Sequence, residues 1–212
     1  CMSSADHADD DAVHRALLTG ADALRLADMT AKLLDLRMAA AATAQLQRHE
    51  GNPDMQFFEA LATQALVRYA RAHNQGIRNE FKIPREWIPA DLKKEHQAFL
   101  DLRDKHIAHS VNDWDVSTPF AQVIEDDAGR LTVHAVAVEN GWMVLSNPES
   151  LDQLWRLAKT LADHLEKEIE AQRARVMESA KQLPQENLRK LIAEYQPAIP
   201  GQGKLDKRRK RN

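Results

Sequence analysis

Apolar residues return every three or four positions over most of the chain, and that period predicts helices. From about Asp22 to His49, Leu26, Met29, Leu33, Leu36, Ala40 and Ala44 share one helical face. The Gly51-Asn52-Pro53 break ends this element, and Pro53 suits the first turn of the next. That second helix is predicted to reach about Asn74, with Phe57, Phe58, Leu61, Ala65, Leu66 and Tyr69 inward and Gly76 closing it. A loop with Pro84 and Pro89 covers 76–90, and Pro89 and Asp91 open a third helix from about residue 90 to Ser110. The period then changes. Residues 120–125 and 131–138 are rich in Val, Ile, Thr and Phe, with Asp126-Asp127-Ala128-Gly129 between them. Asn140-Gly141 predicts a two-residue hairpin turn before a third strand at 142–145. Asn147-Pro148-Glu149-Ser150 starts another helix, striped by Leu151, Leu154, Trp155, Ala158, Leu161, Leu165 and Ile169. A short amphipathic helix carrying Leu188, Leu191, Ile192 and Tyr195 follows Pro184.

The expected fold class is therefore mostly α: a four-helix bundle with a small antiparallel β insertion. Residues 1–19 form a polar lead-in, 20–182 the helical domain with its β insertion at about 120–145, 183–196 a short helix, and 197–212 a basic tail expected to be disordered.

Composition narrows the setting. Hydrophobic residues make up 43% and charged residues 29%, a balance that fits a soluble globular chain long enough to bury a core. No apolar run approaches the length of a membrane span, and the opening residues lack the apolar stretch of a secretion signal. Cys1 is the only cysteine, so no intrachain disulfide is expected; a cytoplasmic location and no membrane contact are. The net charge of −3 is unevenly spread. Lys204, Lys207, Arg208, Arg209, Lys210 and Arg211 against Asp206 give the tail +5 and leave −8 on the rest. An acidic body counts against a broad non-specific nucleic-acid footprint, although a compact site with one or two cations is compatible with it.

The third helix carries the candidate chemistry. At 100° per residue, Leu92, Phe99 and Leu102 fall on one broad face, Arg103 and His106 fall within it, and His109 lies at its edge. A cation inside an apolar stripe is costly unless it is paired or reaches a solvent-filled cleft. Histidine titrates near neutrality and can move protons, whereas Arg103 stays charged and can grip phosphate oxygens bidentately. Asp104 can orient a ring or the guanidinium. About 9 Å of helical rise separates Arg103 from His109, so side-chain reach or a second subunit must close the gap.

The string Leu-Arg-Asp-Lys-His-Ile-Ala-His-Ser at 102–110 resembles the HEPN motif: an Arg, then a polar residue, then a His after a spacing of four to six. The wider string is similar to HEPN proteins of the abortive-infection toxin branch. The resemblance implies a helical bundle that dimerises so that two motifs face one cleft. It also implies metal-independent RNA cleavage in the catalytic members, whereas other members bind nucleotides or partner proteins. On that basis Arg103 and His109 are the candidate catalytic residues and Asp104 and His106 supporting ones. RNA is the expected substrate, the chain a homodimer and a toxin or antiviral effector, and a nucleotidyltransferase or other antitoxin a possible partner. The alternative is a non-catalytic dimeric HEPN module. The β insertion departs from the minimal bundle, and His106 is extra to the motif.

Spacing alone is weak, since Arg68 to His73 also reads Arg, four residues, His; there the Arg is followed by Tyr69. His106 and His109 stand three apart as a metal pair would, but no Glu-x-x-His and no His-Glu-x-x-His accompany them, so no metal or cofactor is expected. No phosphate-binding Gly-rich loop and no Gly-x-Ser-x-Gly occur. His7, His49, His73, His96, His134 and His164 read as ordinary histidines, and Trp87, Trp114, Trp142 and Trp155 as core or interface.

Overall fold

The computed structural model describes residues 13–48, 55–73, 80–104, 116–125, 127, 129–141 and 147–195. Among them are five helices and one hairpin: α1 (Ala21–Arg48), α2 (Met55–His73), α3 (Lys93–Leu102), β1 (Val116–Glu125), β2 (Leu131–Gly141), α4 (Pro148–Lys181) and α5 (Gln185–Glu194). The chain is mostly helical, and no described helix is long and apolar enough to cross a membrane. Expectations for 1–12 and for the tail from 196 onward lie outside the described residues.

Helix α1 lies between α2 and α4, and α3 bridges α2 and α4, so the four close into a ring. The sequence of α1 explains this central place, because it buries two stripes. Met29, Leu33 and Leu36 form the expected one. A second, about 100° round the helix, runs through Asp28, Lys32, Asp35, Ala39, Ala42 and Leu46, all buried. Small residues at 39 and 42 allow close helix approach, while Leu66, Tyr69, Leu154, Leu157, Leu161 and Leu165 fill the space around α1. Burying a leucine side chain is worth about 1.5–3 kcal/mol. In α2 the inward set starts later than expected: Phe57 is exposed, because the buried face of the helix runs through Ala62, Ala65, Leu66 and Tyr69.

The loop before α3 contains two single-turn 3₁₀ helices, Arg85–Trp87 and Ala90–Leu92, each preceded by a proline whose extended ψ of 136° steers the chain into the turn. Helix α4 begins as its sequence promises: Asn147 Oδ1 accepts from the Glu149 N–H at 2.9 Å, and Pro148 occupies the first turn.

The β insertion departs from expectation in its turn. Asn140 and Gly141 lie inside β2, paired with Ser117 and Val116, and the strands connect through 126–130. A tight turn at 140–141 needs positive φ at both residues, yet the only positive φ among the described residues is that of Gly129, at 75°. Glycine therefore serves the connection one strand earlier. The two strands are antiparallel, with an irregularity at Gln122/Val123; the third strand expected at 142–145 lies outside the described residues. Ile124, Leu131, Val133, Val136 and Val138 all stay exposed on this hairpin.

Candidate functional site

Two places in the ring of helices concentrate polar chemistry. The first is the end of α3. Arg103 caps the helix with α-helical φ and ψ, and its N–H donates to Leu100 and Phe99 carbonyls. Arg103 and Asp104 continue the chain in a wider π-type turn, a geometry frequent at functional sites. The Arg103 guanidinium donates to Asp104 Oδ1 at 2.7 Å. Its side chain keeps 28% exposure and that of Asp104 61%, so this ion pair stands at the surface. The structure thus brings Arg103 and Asp104 together. His106 and His109 lie outside the described residues.

The second place is a polar cluster among α1, α2 and α3 that the sequence reading passed over. The Tyr69 hydroxyl and His96 Nδ1 are 2.7 Å apart, and His73 lies beside both, with ring centroids 4.9 Å from Tyr69 and 4.7 Å from His96. Burial pushes the Tyr69 hydroxyl far up, so it stays protonated and can donate to His96 Nδ1. His73 is held down to about 3, by burial first and then by the nearby charges of His96 and Lys32. His96 is lowered too, by burial and then by Arg85. Both rings are therefore neutral at pH 7. His73 Nε2 is buried without a hydrogen-bond partner.

Charges on α1 support this cluster from below. Asp28 Oδ2 accepts from the Phe81 N–H at 2.9 Å, which ties the loop to α1, and Oδ1 lies 3.5 Å from Lys32 Nζ. Asp35 holds Arg68 at 2.8 Å and Arg71 at 3.6 Å. The second Arg-x4-His pattern is thereby explained: Arg68 is taken by a buried carboxylate and His73 is packed among rings. The two places share a helix. His96 and Arg103 are seven residues apart, almost two full turns, and so lie on the same side of α3 about 10.5 Å apart along its axis.

The signal for the missed cluster was present in α1. Asp28, Lys32 and Asp35 continue the three-four spacing of Ala39, Ala42 and Leu46, yet charged residues at such spacing read as a solvated face. Of the tryptophans, Trp87 stacks on His164 at 5.2 Å between ring centroids and leans on Phe81, consistent with a packing role; Trp114 and Trp142 lie outside the described residues. No family model, curated protein or solved structure matches the chain.

Proposed function

We propose that the protein is a metal-independent endoribonuclease of the HEPN type, working as a homodimer in which Arg103 and His109 act on RNA, in the manner of a toxin or antiviral effector. The resemblance of 102–110 supplies the reading, and one observation supports it: Arg103 is not sealed. Its described partner is the exposed Asp104, whereas an arginine locked to a core carboxylate, as Arg68 is to Asp35, would speak for a purely structural role. Arg103 is left able to meet a phosphate.

The chemistry needs no external nucleophile. The ribose 2′-hydroxyl attacks the adjacent phosphorus while the P–O5′ bond breaks, which yields a 2′,3′-cyclic phosphate and a 5′-hydroxyl. His109 moves the proton, and Arg103 takes the charge that grows on the non-bridging oxygens. Asp104 orients the guanidinium through the bond described above.

The test is cleavage of a panel of single-stranded RNAs in excess chelator, with the product ends identified. His109→Ala should abolish cleavage, and Arg103→Ala should slow it by about 2.7–4 kcal/mol, the scale of one lost oxyanion-type contact. Arg173→Ala, a change at an exposed ion pair on α4, should leave the rate unchanged. Wild type and His109→Ala equally inert on the panel, both folded, would remove the catalytic reading in favour of a non-catalytic HEPN module that binds a nucleotide or a partner protein.

A further inference from the structure

We infer that the cavity enclosed by α1, α2, α3 and the 80–92 loop binds a small phosphorylated molecule, with Lys32, Arg85 and Lys93 holding its phosphate and Phe81, Ile83 and Ile88 lying against its body. The inference stands apart from the ribonuclease reading and rests on four features of the cavity.

The cavity measures about 690 Å³, within the range of sites that take small ligands. Among the described residues four formal cations line it (Lys32, Lys82, Arg85 and Lys93) and no carboxylate does, although the chain as a whole is acidic. Such a one-signed lining within low-dielectric walls focuses potential on an incoming anion. The cations are also graded in depth. Lys32 is 2% exposed, whereas Lys82, Arg85 and Lys93 are exposed around the mouth. Asp28, which is not part of the lining, sits beside Lys32 and meets the cost of keeping an ammonium inside.

The third feature is His73, whose buried Nε2 lines this cavity with no partner. Buried polar atoms are satisfied in the great majority of cases, so an orphan facing a void is a place for a ligand oxygen. With His73 neutral, the Nε2–H tautomer donates one hydrogen bond to a phosphate. The fourth feature is the apolar wall of Phe81, Ile83 and Ile88, which a bare inorganic ion would leave uncovered. Cations and apolar residues lining one cavity describe a phosphate monoester with a flat or apolar body. A cavity of this volume suits a small molecule better than a nucleic-acid strand.

The test is isothermal titration of the full chain at low salt with AMP, inorganic phosphate, adenosine and a 5′-phosphorylated hexaribonucleotide. AMP should bind saturably and more tightly than inorganic phosphate, and adenosine should not bind. Arg85→Gln combined with Lys93→Gln, both exposed and outside the core, should weaken AMP at least about tenfold, as loss of charge-assisted hydrogen bonds would. Lys181→Gln, at an exposed ion pair on α4, should leave AMP binding unchanged. Absence of saturable AMP binding, adenosine binding as tightly as AMP, or an unaltered affinity in the double variant would each overturn the inference. A hexaribonucleotide that binds more tightly than AMP would overturn its small-ligand part.

Discussion

Acid should unfold this protein through His73 in particular. The ring is held down to about 3 from an ordinary 6.5, first by burial and then by His96 and Lys32. A group whose folded-state value is depressed binds its proton more readily in the unfolded chain. Its contribution is therefore complete above pH 6.5 and is lost as pH falls from 6.5 towards 3. At pH 5 the solution lies about 1.5 pH units below the unfolded value, and at 1.36 kcal/mol per unit the loss is about 2 kcal/mol. That is a large share of the 5–15 kcal/mol by which domains are ordinarily stable. Urea unfolding at pH 7 and pH 5 measures it. His73→Phe keeps a ring against Tyr69 and His96 but cannot take up a proton, so its stability should fall by about 2 kcal/mol less than that of wild type over the same interval. Carboxylates and the remaining histidines titrate in both proteins and cancel in the difference. Parallel pH profiles for the two proteins would refute the reasoning.

Two further outcomes can be checked in solution. The proposed homodimer should appear in light scattering at micromolar concentration, and a wild-type monomer would remove the shared-cleft part of the proposal. Arg68→Ala should cost about 1–3 kcal/mol in urea, because it strips the buried Asp35 carboxylate of its 2.8 Å ion pair, and a loss below about 0.5 kcal/mol, the scale of a surface pair, would show that the remaining partners of Asp35, Arg71 among them, suffice.

The helices were legible because their buried faces are mostly apolar and their ends are marked by residues with a mechanical effect. Asn147-Pro148 both caps and starts α4, and the prolines at 84 and 89 set the two turns that lead into α3. The hairpin turn was misplaced because Asn-Gly predicts a conformation, not a location. Two glycines competed for the positive φ, and the pairing of β1 with β2 over ten residue pairs, from Val116↔Gly141 to Glu125↔Leu131, leaves only Gly129 to adopt it. The depth of α1 was half legible. Its apolar stripe was read correctly, but the neighbouring stripe carries Asp28, Lys32 and Asp35, whose burial depends on partners from α2 and the 80–92 loop that no window on α1 contains.

The same limit separates the two Arg-and-His patterns. Spacing fixes only the angle between two side chains on a helix; which side of that helix meets solvent is decided by the residues between and around them. At 68–73 the Arg is followed by Tyr69, fully buried, and the helix turns both members of the pattern towards α1 and α3, where Arg68 meets Asp35 and His73 meets two rings. At 103 the Arg is followed by Asp104, whose exposed carboxylate is its described partner. The two arginine side chains are about equally exposed, at 32% for Arg68 and 28% for Arg103; what differs is the partner, a carboxylate 2% exposed at Asp35 and one 61% exposed at Asp104. The cationic cavity shows the converse case. Lys32, Lys82, Arg85 and Lys93 come from one helix, a proline-bearing loop and a second helix, so their convergence is a product of the ring closure and of no local spacing. Chemistry carried on one helix is readable from sequence; chemistry assembled across three elements becomes visible only once the helices are packed.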